Sequence, residues 1–161
     1  MKISGLPTVN RSLKRGVHRF SDLCSGMDSH PIIRKIFGRS AKRVLSKLKV
    51  RVATTRFYAY IDDSKGMIVI NKNYLRSASN TYLYLDVVHE LVHIKQLGEG
   101  KDLYDKRYKY IDRPTEIEAY KLAAKEAKRL GLSGKRLKDY LEVDWVSAAE
   151  SKRLLDNIGV H

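Results

Sequence analysis

Residues 81–97 read as a helix that is apolar on nearly every side, and such a helix is stable only where other elements cover all its faces. The rest of the chain has to be arranged around it. Gly98 and Gly100 follow it as helix-ending residues. At 161 residues with 43% hydrophobic content, the chain can bury roughly 70% of its unfolded surface in one core, without metal or disulfide staples. That composition excludes a disordered polyelectrolyte. The lone cysteine, Cys24, excludes an internal disulfide framework and fits a reducing compartment.

The flanking segments read as follows. Residues 1–28 show no clear period and suggest an arm with one short helix. Ser29 and Pro31 signal a helix start leading to Gly38. Ser40 opens an amphipathic helix with Ala41, Val44, Leu45 and Leu48 on its apolar face. Three β-type runs follow, 50–54, 57–61 and 67–70, the last two joined by the turn-rich DDSKG. They predict a small antiparallel three-stranded sheet packed on the central helix.

A polar, tyrosine-rich connector then leads to a helix over 114–130, closed by Gly131. Ser133 caps a short helix ending near Val143, and the capping box Ser147-Ala-Ala-Glu150 opens a last helix to Asn157. The expectation is one α+β domain over 1–161, with a basic helical region at 1–49, a core at 50–130 and a C-terminal helical extension at 131–161. No run approaches the 18 apolar residues of a membrane span, and the first residues lack the apolar core of a signal peptide. A cytoplasmic protein without a membrane partner is expected.

Charge is distributed unevenly. The chain carries a formal +14, yet residues 1–56 hold 14 Lys and Arg against 2 acids, a net +12. This cationic front third reads as an appended region. It would concentrate polyanions in a salt-sensitive way, with Arg39, Lys42 and Arg43 as candidate nucleic-acid contacts. A surface that merely confers solubility fits the composition equally well.

The strongest chemical signal is His89-Glu90-Leu91-Val92-His93, inside the buried helix. Residues four apart share a helical face, so both imidazoles reach one metal ion while Glu90 projects beside them. Two histidines leave room for a third ligand and an open position. On the helix over 114–130, Glu116 falls within the apolar stripe of Ala119, Tyr120, Ala123, Ala127 and Leu130, where a carboxylate needs a partner to offset its desolvation. A dication held by His89 and His93 is that partner. Glu118 points elsewhere on the wheel, towards Lys125 and Arg129, as a solvated acid. His18, His30 and His161 lie outside any ligand spacing, Cys24 lacks a CxxC partner, and Trp145 reads as a hydrophobic anchor for the last two helices.

HELVH followed after 23 residues by Glu116-Ile-Glu-Ala-Tyr120 resembles the gluzincin metallopeptidases, in particular the Glu-x-Glu-Ala-Asp pattern in which the first Glu binds zinc. The resemblance covers residues 50–130 and is similar in scale to the minimal gluzincins, ImmA/IrrE-type proteases and SprT-like enzymes. It implies a zincin-like fold, one Zn2+ ion held by His89, His93 and Glu116, Glu90 as general base, and a peptide or protein substrate. It also implies that the run 67–70 pairs with extended substrate. Tyr120 stands where the family has Asp, so Asp86, on the face of both histidines, becomes the candidate to orient one of them; a surface role for Asp86 is the alternative. Candidate oxyanion donors are Tyr104, Tyr108, Tyr110 and Tyr120, and the connector is a candidate lid. The family also includes latent forms, in which a terminal segment fills the cleft. The competing reading is a nucleic-acid-binding protein with a structural or vestigial zinc site, and a protease acting on DNA-associated proteins would join the two.

Overall fold

A computed structural model describes residues 5–161. The element order is β1 (Gly16–Arg19), α1 (Phe20–Leu23), α2 (Pro31–Phe37), α3 (Ala41–Lys47), β2 (Lys49–Ala53), β3 (Ala59–Asp62), β4 (Met67–Asn71), α4 (Lys72–Ser77), α5 (Asn80–Gly98), α6 (Pro114–Arg129), α7 (Gly134–Leu141) and α8 (Ala148–Ile158), with 3-10 turns at Met27–Ser29, Gly38–Ser40 and Tyr110–Asp112. The class is α+β. The apolar helix of the sequence is α5, started by the Ser79 side chain, which accepts a hydrogen bond from the Tyr82 amide. It packs along α6 and against β3 and α2. Leu83, Tyr84, Leu85, Val87, Val88, Leu91 and Val92 are buried around its circumference.

The sheet differs from expectation. It has four strands in the order β1-β2-β4-β3 and is mixed: β2 and β4 run parallel, while β1 with β2 and β3 with β4 run antiparallel. After β2 the chain crosses to the far edge to form β3, then turns back through β4 into the middle. The turn at DDSKG carries Gly66 at φ 62°, a conformation glycine adopts without strain. Ile68, Val69 and Ile70 of β4 are consequently buried in succession, as befits a central strand. Because β4 is paired on both sides, the run 67–70 has no free edge to offer a substrate. β3 has one.

Two further elements carry no periodic signal in the sequence. β1, GVHR, has only one residue that is not exposed, so it shows no alternation. α4 spans six residues, too short for a helical period, and is set by Asn71, whose side chain accepts from the Asn73 and Tyr74 amides. The cap of α2 is His30 rather than Ser29, with Nδ1 accepting from the Ile32 amide.

Residues 5–28 are not an arm. Val9, Leu13, Phe20, Leu23, Cys24 and Met27 all lie in the core, and burial raises the Cys24 thiol to about 12. Asn80 ties this segment to the start of α5, accepting from the Val9 amide at 2.8 Å and donating to the Pro7 carbonyl at 2.9 Å. The basic front third is therefore built into the domain. At the other end, the capping box of Ser147 and Glu150 starts α8 as predicted, and α8 packs on α6.

α5 and α6 also share a buried polar contact. The Tyr84 hydroxyl donates to Glu126 Oε1 at 2.6 Å, and Arg129 donates to both Glu126 oxygens at 2.7 and 2.9 Å. Burial alone would raise the Glu126 carboxyl, but these donors outweigh it and hold it below its ordinary value. A depressed carboxyl contributes stability above the unfolded-state pKa and loses it as pH falls through the folded value. Glu126→Ala, which leaves the buried Tyr84 hydroxyl without an acceptor, is expected to cost about 1–3 kcal/mol at neutral pH. In urea denaturation series, the gap to wild type should narrow as pH drops below the ordinary carboxylate range.

Candidate metal centre

Two elements build the centre. α5 delivers His89 and His93 one turn apart, with Glu90 beside them. α6 delivers Glu116 from its first turn, a position set by Pro114 at the helix start. His89, His93 and Glu116 are all buried, and their donor atoms lie within 4.8 Å of one another. His89 Nε2 is 3.1 Å from Glu116 Oε2, His93 Nε2 is 3.3 Å from the same oxygen, and the two Nε2 atoms are 3.1 Å apart. Ligands about 2.0–2.1 Å from a tetrahedral ion sit about 3.3 Å from each other, so the three donors are spaced close to one face of a coordination tetrahedron.

The orientation of His93 is set by Gln96, a residue outside the set that the motif singles out. The Gln96 Nε2 group donates to the Thr115 carbonyl at 3.0 Å and to Glu118 Oε2 at 2.7 Å. Its Oε1 is thereby left to accept from His93 Nδ1, 2.7 Å away. With the proton on Nδ1, the Nε2 lone pair faces the centre. A signal exists in the sequence: Gln96 is a polar residue three positions after His93 on a helix whose every face is covered, and it is fully buried. Glu118, expected near Lys125 and Arg129, instead lies against the end of α5, paired with Lys95 and Lys101 at 3.4 Å each.

The electrostatics follow from burial and proximity. Burial lowers the His89 imidazole. For His93 burial acts the same way, but the facing Glu116 outweighs it and the imidazole is raised. Glu116 is held far below the usual range, its burial overcome by the two histidines. Glu90 is 6% exposed, and its Oε2 has no hydrogen-bond partner among the described residues. Burial pushes its carboxyl up to about 8, with His93 pulling in the opposite direction.

The remaining candidates divide. Tyr120 stands edge-on to His89, ring centres 4.4 Å apart, and its hydroxyl shares a 2.7 Å hydrogen bond with Tyr110. Tyr104 lines the site and donates to the Ile61 carbonyl. Tyr108 is not brought to the centre: it is 41% exposed, with the Arg107 guanidinium over its ring. Asp86 orients neither histidine, because the Tyr74 and Tyr140 hydroxyls donate to its carboxylate. Trp145, expected to pin the last helices, is half-exposed and packs edge-on against Phe57 and Tyr110 at 5.5 and 5.6 Å. Arg39, Lys42 and Arg43 lie exposed on the turn before α3 and on α3, and none lines the space around the centre.

Two cavities, of about 280 and 300 Å³, meet at Ala59, His89, Glu90, Tyr110 and Trp145. The larger runs under the β3 edge past Phe57, Tyr60, Ile61 and Leu103. No protein family, curated protein or solved structure matches the chain, so function has to be read from the site. Gln96→Leu removes the acceptor that fixes His93, and is expected to weaken the affinity of the site for a divalent metal ion ten- to a hundredfold in competition with a chromophoric chelator.

Proposed function

We propose that the chain is a zinc-dependent peptide-bond hydrolase. The observation that supports this best is the unpartnered carboxylate of Glu90 beside three buried donors at tetrahedral spacing, where two cavities meet. The set of two imidazoles and one carboxylate suits zinc and leaves a fourth position open. Zinc at such a site supplies Lewis acidity, lowering the pKa of a water and polarising a carbonyl.

The protein's own groups perform the other steps. Glu90 takes a proton from the attacking water and passes it to the leaving amine. Gln96, held by Glu118 and the Thr115 carbonyl, keeps His93 in its ligating tautomer. The free edge of β3 receives an extended substrate by strand addition, which places a peptide across both cavities. The hydroxyl pair of Tyr110 and Tyr120, which lines the cavity beside His89, supplies the donor for the developing oxyanion. Glu90→Gln should reduce hydrolysis of fluorescently labelled casein by about 10²–10⁴-fold with zinc stoichiometry unchanged, whereas His93→Ala should lose both. Full proteolysis by Glu90→Gln sinks the reading.

A second reading, polyanion binding, is favoured by the surface of α2 and α3. Arg34, Lys35, Arg39, Lys42, Arg43 and Lys47 are exposed there, and none forms an ion pair among the described residues. Neutralising Arg39, Lys42 and Arg43 together should lower the slope of log affinity against log salt by about 3 for duplex DNA, measured by fluorescence anisotropy. Glu90→Gln should leave that slope unchanged. Both activities in one chain describe a protease directed to DNA-associated proteins.

A further inference from the structure

The acids of this chain are paired selectively. Of its 18 Asp and Glu, eight form no ion pair among the described residues, and five of those eight line the same 280 Å³ cavity beside the metal centre: Asp86, Glu90, Asp139, Glu142 and Asp144. Among the described residues no Lys or Arg lines it, in a chain that has 32 of them. The Glu90 side chain, more than nine-tenths buried, reaches the wall of this cavity, and its Oε2 atom has no hydrogen-bond partner among the described residues. The other walls are aromatic. Tyr58 stacks on Tyr74 with ring centres 4.4 Å apart, Tyr82 tilts onto Tyr140 at 5.3 Å, and Trp145 closes the side shared with the second cavity.

We propose that this cavity is the subsite for a cationic side chain, lysine or arginine, of a peptide bound at the metal centre. The inference rests on the hydrolase reading and gives it a substrate class. Asp86 sits one turn before Glu90 on α5, about 5–6 Å away along the helix. A lysine or arginine stem spans that distance from a peptide backbone lying near Glu90. The stem packs on tyrosine rings and its head meets their faces and the carboxylates, the combination that binds organic cations. A neutral side chain would instead desolvate several carboxylates without pairing them. A bare metal ion fits less well: Asp86 already accepts from two tyrosine hydroxyls, and the walls offer rings rather than carbonyl oxygens.

The test uses the zinc-loaded full chain. By NMR titration, n-butylguanidinium should bind at least tenfold more tightly than its uncharged isostere n-butylurea. Glu142→Gln combined with Asp144→Asn should lower guanidinium affinity at least fivefold; Glu142 has no side-chain partner to lose, and asparagine at 144 can still accept from Tyr58. Far-UV circular dichroism verifies that the double variant is folded. Equal binding of the two probes, or binding of neither, overturns the proposal. This comparison does not depend on turnover, so its failure is distinct from failure of the Glu90→Gln test. Among acetylated peptides, an internal lysine should raise kcat/KM at least tenfold over norleucine, and the double variant should reduce that ratio. Cleavage that instead requires a free amino terminus would assign the cavity to the terminal amine and overturn the side-chain proposal.

Discussion

The register between α5 and α6 decides whether the three candidate metal donors meet at all, because two of them come from one helix and the third from the other. A helical slip of one residue would turn Glu116 by about 100° and remove it from the pair of histidines. Two kinds of contact hold the register. Ala119, Ala123, Ala124 and Ala127 are buried on α6, and their small side chains let the helix approach α5 closely. Gln96 then binds the backbone of α6 at Thr115 and its side chain at Glu118, while its oxygen positions His93. One buried amide thus fixes both the helix pairing and the tautomer of a ligand. Tyr84 and Glu126 make a second polar tie two turns or more along each helix. Polar groups in such a place are costly unless fully satisfied, and these are satisfied only in this register.

The candidate metal centre is the part of this arrangement most legible in the amino-acid sequence. The HELVH spacing and the position of Glu116 on an apolar stripe are local properties of single helices, and the structure brings those residues together. The partners of Asp86 and Glu118 are not legible in the same way, because they depend on which elements pack beside them. Asp86 does share a face with His89, but Tyr74 on α4 and Tyr140 on α7 reach it first. Glu118 does point away from the core of α6, yet the end of α5 is there to meet it. The strand count is hidden for another reason: β1 is four mostly exposed residues that exist only because β2 offers an edge. The parallel pairing of β2 with β4 reflects a crossing order that hydrophobic periodicity does not encode.

Charge in this protein is organised at two scales. At the large scale, exposed cations gather on α2 and α3, and the long-range field favours anionic surfaces. At the scale of a single side chain, the cavity next to Glu90 reverses that sign, with Asp86, Asp139, Glu142 and Asp144 on its walls and no Lys or Arg among the described residues. Screening in salt limits the first effect to roughly 10 Å, and the exposed Asp139, Glu142 and Asp144 at the cavity mouth act only at contact range. The two proposed ligands, a polyanion and a cationic peptide segment, would therefore occupy different surfaces.

The integration of the front third makes that separation rigid. If residues before α2 were a detached arm, the basic face could move relative to the metal centre and its charge would act only as a tether. Instead Phe20, Leu23 and Met27 sit in the same core as α5, and Asn80 joins the Pro7 and Val9 backbone to the first turn of that helix. α2 packs directly on α5 as well. The helix that needs cover on all sides obtains part of it from the most basic segment of the chain. On the proposed reading, a polyanion seated on α2 and α3 would consequently be held at a fixed distance and angle from the Glu90 cleft, and a peptide entering that cleft along β3 would be presented to it in one orientation.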